Sequence, residues 1–238
     1  MNNMIQIDDG LKKLGLKMRY VIGKNVFVEK NNDLDNLKQT TIQTIIQDWN
    51  EDKIKNSPIL AEYRKLHEIT IGEKGKEYLA SPEWLLQFML SKKRFININN
   101  IVDCYNLVSV KTQIAIGSHD FSKIEGNLKM SFLNGAERFI PLGLNFAAKV
   151  PKGGYAFIDD NDILCLFESR QAEKTKITAQ TTTFITYLQG NAQTSDDYLD
   201  KATLALLNLY KQHCRGDFNL DLDDDKMMME PTKTEVLK

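Results

Sequence analysis

Apolar residues recur along this chain at two different spacings, and the change between them divides it. From residue 34 to about residue 110 the spacing is helical. Leu34, Leu37, Ile42, Ile45, Ile46 and Trp49 fall three or four apart, with Asn32 or Asp33 placed as the cap. Ser57-Pro58 sets a cap before a proline at the first helical position, and Leu60, Tyr63 and Leu66 give that helix its apolar stripe up to Gly72. Ser81-Pro82-Glu83 repeats the start signal, with Trp84, Leu85, Phe88 and Met89 expected on the buried face. Residues 99–110 predict one more helix. Beyond residue 127 short apolar runs predict strands at 128–133, 138–141, 155–158, 163–167 and 183–188, with Asp159-Asp160-Asn161-Asp162 as a hairpin turn. Ser195 caps a last helix, where Asp196 and Asp197 suit the positive end of the dipole and Leu199, Ala202, Leu206 and Leu209 form the core face. Near the start, the runs 18–22 and 26–28 flank Gly23-Lys24-Asn25 and predict a hairpin.

Helices come first and strands later, which favours an α+β architecture with helices packed on a mainly antiparallel sheet over a doubly wound one. We expect three segments. Residues 1–56 supply N-terminal strands and a helix packed on the main domain, residues 57–216 form that domain, and residues 217–238 form an acidic disordered tail. The tail holds seven acids against three bases and one aromatic residue, Phe218. The chain of 238 residues has a net charge of −1, so the remaining body is modestly basic. That balance is compatible with binding one RNA end and argues against wrapping a long duplex; no DNA partner is expected. A hydrophobic share of 42% and a charged share of 26% are those of a globular protein able to bury a full core without disulfide or metal. Three scattered cysteines, no apolar leader and no run of ~20 apolar residues predict a reduced, cytoplasmic protein without a membrane partner.

Two polar motifs interrupt this apolar framework. The first is Asn99-Asn100-Ile101-Val102-Asp103-Cys104-Tyr105-Asn106, followed by Asp120-Phe121-Ser122-Lys123-Ile124-Glu125-Gly126. The second is Arg170-Gln171-Ala172-Glu173-Lys174-Thr175-Lys176-Ile177-Thr178, with Thr181 beyond it. With the Tyr63-Arg64 helix and the Ser81-Pro82-Glu83 helix start, their order over residues 59–216 resembles the B3/B4 domain of the phenylalanyl-tRNA synthetase beta chain. The resemblance is closer to small free-standing proteins built from that domain alone. It implies an α+β fold of the B3/B4 type and a role in tRNA quality control, since the synthetase domain hydrolyses wrongly charged aminoacyl-tRNA.

The resemblance also nominates residues. Asn100, Asp103 and Asn106 recur every third residue and share one helix face. They form either a capped, half-exposed helix or a polar wall for the terminal nucleotide. The pocket histidine of the synthetase falls two residues before His119, at Gly117, so His119 either reaches the same space or is a surface or turn histidine beside Asp120. The synthetase glutamate falls near Tyr187 or Gln189, where no carboxylate is present. Arg170 and Gln171 replace a Gly-Gly-type segment; Arg170 either forks a phosphate or carboxylate or pairs with Glu168 or Glu173. Thr175, Thr178 and Thr181 either line a pocket or cap turns. Outside the resemblance, the basic cluster Lys92-Lys93-Arg94 at a helix end either complements the helix dipole or contacts RNA backbone.

No Ser-His-Asp or Cys-His constellation, calcium loop, phosphate loop or zinc spacing is present, and no cofactor or metal is expected. An aminoacyl ester is already activated and needs only a held water, donors for the developing oxyanion and an excluding pocket. The expected function is binding of the aminoacylated 3′ end of tRNA and hydrolysis of the misacylated ester in trans. Asn106, Arg170, Gln171 and Thr175 are the catalytic candidates, and Asn100, Asp103, His119, Thr178 and Gln189 the binding candidates. A non-catalytic RNA-binding module and an amino-acid or small-molecule binder on the same fold are the alternatives.

Overall fold

The computed structural model describes residues 4–30 and 33–220. Strands β1 (Ile5–Ile7), β2 (Lys17–Lys24), β3 (Ala115–Asp120), β4 (Leu128–Phe132), β5 (Tyr155–Ile158), β6 (Ile163–Leu166), β7 (Arg170–Gln171), β8 (Thr183–Gly190) and β9 (Asp217–Leu220) make two sheets. One is five-stranded, in the order β1-β4-β5-β6-β7, and only its β1–β4 pair is parallel. The other is four-stranded and antiparallel, in the order β3-β8-β2-β9. The helices are α1 (Asp9–Lys13), α2 (Asp35–Asp48), α3 (Glu51–Asn56), α4 (Pro58–Ile71), α5 (Ser81–Lys92), α6 (Asn100–Thr112) and α7 (Asp196–His213). The result is the α+β architecture that the order of elements predicts.

Strand β8 explains the layering. Phe184 and Leu188 share a core with Leu206 and Tyr210 of α7 and with α6, while Ile185 and Tyr187 share a second core with Phe157 and Leu164 of the other sheet. A strand buried on both faces separates the two cores by its period of two. Hydroxyls in this layer form a chain: Ser118 meets the Thr186 hydroxyl at 2.8 Å, which meets the Tyr210 hydroxyl at 2.9 Å. Helices α6 and α7 start where expected. Asn99 accepts from the Val102 N–H at 2.9 Å and Ser195 from the Tyr198 N–H at 3.1 Å.

Four expectations are corrected. Residues 18–28 do not form a hairpin. Gly23 lies inside β2 because the Phe184 ring occupies the space a Cβ would need, 2.5 Å from its position. The segment 1–56 is not merely packed on the rest, since β2 lies between β8 and β9. Residues 138–141 contribute only isolated bridges, Arg138 to Asp162 and Pro141 to Ala172. The tail does not begin at 217. Residues Asp217–Leu220 pair with β2, and Phe218 stacks on Tyr210 with ring centroids 5.5 Å apart. Residues 221–238 lie outside the described residues. No helix among the described residues is long and apolar enough to cross a membrane.

Candidate functional site

A cavity of about 270 Å³ opens where α5 and α6 meet strands β3, β6, β7 and β8. Its inner wall is Tyr105, Asn106, Cys165, Glu168, Gln171 and Tyr187; its mouth is Trp84, Ile96, Ile98 and Leu142. A larger depression of about 530 Å³ lies between Met4, Gln6, Phe121, Ile124, Asn127 and Leu128, but it carries no ionisable side chain. The smaller cavity is therefore the candidate site, since it is mostly apolar with a few convergent polar groups.

Both polar motifs reach it. Asn106 comes from the middle of α6 and its amide makes no hydrogen bond to any described residue. On β7 successive side chains alternate, so Gln171 faces the cavity. The Gln171 amide engages the Tyr105 hydroxyl, which burial holds well above its usual pKa. Gly117 lies behind them: a Cβ there would stand 2.7 Å from the Tyr187 hydroxyl and 2.8 Å from the Gln171 amide nitrogen. The space where the resemblance places a histidine side chain is filled here by a phenol and an amide.

Other predicted residues lie elsewhere. Arg170 is exposed, its guanidinium over the Tyr78 ring at 5.4 Å, and it pairs with neither Glu168 nor Glu173. Asn100 is a splint, accepting from the Glu29 N–H at 3.1 Å and donating to the Phe27 carbonyl at 2.9 Å. Asp103 accepts from Lys38 Nζ at 2.6 Å in a buried ion pair and from the Ile98 N–H. Thr178 and Thr181 close a turn onto Asp120, with the Thr181 hydroxyl donating to Asp120 at 2.7 Å.

His119 is no surface residue. It is fully buried, stacked on Tyr187 at 5.7 Å, with Nδ1 2.8 Å from the Thr175 hydroxyl and Nε2 without a partner. Burial depresses its pKa to about 3, against a smaller upward pull from Asp159. Neither His119 nor Thr175 lines the cavity.

Sequence reasoning missed the network beneath the cavity floor. Glu168, 3% exposed, meets His67 Nε2 at 2.5 Å through one oxygen. Its other oxygen accepts from the Tyr155 hydroxyl at 2.6 Å and from the Gln189 amide at 2.9 Å. Burial opposes charge on His67, but the Glu168 carboxylate outweighs it and the net shift is upward. Gln189 is thus a floor residue rather than a lining one. Cys165 lines the cavity, but burial pushes its thiol up to about 12, so it is no nucleophile at neutral pH. Ser81 and Ser169 also line it, yet no histidine does. No described set of three or more His, Cys, Asp or Glu side chains is arranged to hold a metal.

The B3/4 domain model matches residues 68–195, which covers more than half of the chain and holds both polar motifs and the inner wall of the cavity. The chain belongs to the B3/4 domain family. Among solved structures, an N-terminal fragment of the phenylalanyl-tRNA synthetase beta-subunit from Pyrococcus horikoshii is similar, with a TM-score of 0.49 and 13% identity. The alignment covers 94% of this chain and 55% of that fragment. Curated proteins show no match.

Proposed function

We propose that this B3/4 chain has a role related to tRNA synthetases: it binds the aminoacylated 3′ end of tRNA and hydrolyses the misacylated ester in trans. One observation carries the reading. Asn106 and Gln171, from motifs more than sixty residues apart, present amides into one cavity whose other walls are apolar or phenolic apart from Glu168, Cys165, Ser81 and Ser169. At about 270 Å³ the cavity is smaller than the ~300–1,000 Å³ that accommodates drug-sized ligands, which suits an aminoacyl group better than a nucleotide.

In this reading the apolar wall of Ile116, Tyr105 and Tyr187 selects the side chain. The amides of Asn106 and Gln171 and the Tyr105 hydroxyl act as donors to the ester carbonyl oxygen as it gains charge. Water adds to the carbonyl carbon, the carbon–oxygen bond to the ribose breaks, and the ribose oxygen takes up a proton. Cys165 is protonated, and His67 and His119 are occluded, so the adjacent ribose hydroxyl of the substrate supplies the proton path.

A second reading, a module that binds the RNA end without hydrolysis, is favoured because no histidine lines the cavity and its one carboxylate, Glu168, is engaged by His67, Tyr155 and Gln189. A panel of misacylated tRNAs distinguishes the two. Deacylation above the uncatalysed rate for one or a few amino acids supports editing. Asn106→Ala and Gln171→Ala should each slow it about 100- to 1,000-fold, the range for loss of an oxyanion donor, while Arg170→Ala should stay within about twofold. Tight binding of the RNA with no acceleration on any member would leave the module alone.

A further inference from the structure

The mouth of the cavity is built differently from its interior. Trp84 was expected to be buried, yet it is 49% exposed and stacks on Phe88 at 5.5 Å with the rings 25° apart. The Arg94 guanidinium lies over the other end of that pair, 5.7 Å from the Phe88 ring. Trp84, Phe88 and Lys92 are four residues apart along α5 and form one stripe. Lys92, Lys93 and Arg94 are all exposed, and none has an ion-pair partner among the described residues. The single carboxylate of α5, Glu83, is buried and bound to Arg64 at 2.6 Å. The stripe therefore runs from an open indole at the cavity mouth to three uncompensated cations, about 12 Å along the helix by its rise per residue.

We propose that Trp84 is a stacking platform for the terminal base of a single-stranded RNA end, and that Lys92, Lys93 and Arg94 hold the phosphates behind it. The proposal rests on the tRNA reading of the cavity but not on hydrolysis. An exposed indole offers a face to any base, and an aromatic surface interleaved with cations is how single strands are held without sequence readout. About 12 Å is the length of some three stacked nucleotides at ~3.4 Å each, which matches a short unpaired 3′ end leading into the cavity. A protein partner would meet the same apolar rim, but the uncompensated cations favour a polyanion.

The chain has two tryptophans, so Trp49→Phe leaves Trp84 as its sole indole. Titrating that variant with an unesterified RNA hairpin bearing a single-stranded 3′-CCA end should quench Trp84 emission saturably. In anisotropy titrations Trp84→Ala should weaken binding about 10- to 100-fold, and Trp84→Phe by only a few fold. Lys92→Ala and Arg94→Ala should each flatten the slope of log affinity against log salt by about 0.7. Three results overturn the proposal: binding with Trp84 emission unchanged and Trp84→Ala within twofold; no hairpin binding at all; or emission that follows protein concentration alone, which marks self-association. Because the hairpin carries no ester, a chain that binds through Trp84 but fails to deacylate keeps the platform and loses the editing. A chain that deacylates with Trp84→Ala at unchanged KM does the reverse.

Discussion

The pair His67–Glu168 offers the sharpest quantitative test of the floor on which the cavity stands. His67 is fully buried, and its Nε2 partner Glu168 is 3% exposed. Removing one member of such a pair leaves the other uncompensated, which costs about 3–5 kcal/mol, so His67→Ala should lose stability on that scale. Glu168→Gln should behave differently. Its carbonyl oxygen can take the place that accepts from Tyr155 and Gln189, while its amide donates to His67 Nε2. His67 Nδ1–H would then donate to the Tyr78 carbonyl, 3.2 Å away. Every partner is kept and only charge is lost, so the cost should be about 1–2 kcal/mol, the difference between charged and neutral hydrogen bonds. The two variants also differ in pH dependence. The folded-state pKa of His67 is raised, so its contribution is full below the unfolded value near 6.5 and is lost as pH rises through the folded value. Urea unfolding at pH 6 and pH 9 should show this loss in the parent chain, with the pH 6 to pH 9 difference markedly smaller in Glu168→Gln. If His67→Ala cost under ~1 kcal/mol, or Glu168→Gln kept the full pH dependence, the charged-pair reasoning would be refuted.

His119 should act with the opposite sign: its folded pKa lies near 3, so protonation of the unfolded chain erodes stability as pH falls from about 6.5 toward 3. His119→Phe should show a shallower acid loss than the parent in unfolding curves between pH 4 and 7, and an identical loss would contradict the burial argument. Phe218→Ala should cost about 3 kcal/mol, because the ring is buried against Phe184 and Tyr210; a change in denaturation midpoint worth under ~1 kcal/mol would mean that β9 is not docked. Gly117→Ala should displace Gln171 or Tyr187, costing about 1–3 kcal/mol and reducing deacylation at least as much as Gln171→Ala. A fully active Gly117→Ala would detach the cavity wall from the chemistry.

The helices were legible because their ends are chemical. Ser57-Pro58, Asn99 and Ser195 mark starts that the structure keeps, with a side-chain oxygen on a backbone N–H in each case. Strands 4, 5, 6 and 8 were legible from apolar runs. What failed depends on contacts far apart in sequence. Gly23 reads as a turn until Phe184 is seen against it, and β3 has no alternation because all six of its residues are buried. Of the site, Asn106 and Gln171 were found through a family resemblance and a helical face. Glu168 was not, because its partners His67, Tyr155 and Gln189 lie on three other elements and no local pattern joins them. Trp84 satisfied the helical stripe yet faces outward, since periodicity fixes a face only to within the width of a large side chain.

The position of β2 sets the order in which this molecule can be assembled. Lys17 pairs with Gly190, and Val21 with both Thr186 and Leu220, so a strand made early must wait for two made late. During synthesis the helical layer can collapse on local contacts, but the four-stranded sheet stays an open template until about residue 220 has emerged. Such distant pairings close loops before any contact rewards them, which slows folding and prolongs exposure of unpaired edges. Refolding from denaturant should therefore be slower than expected for a helix-rich chain of this size. Segments appended after β9 would meet a sheet that is still closing, whereas segments placed before β1 would leave that last step untouched.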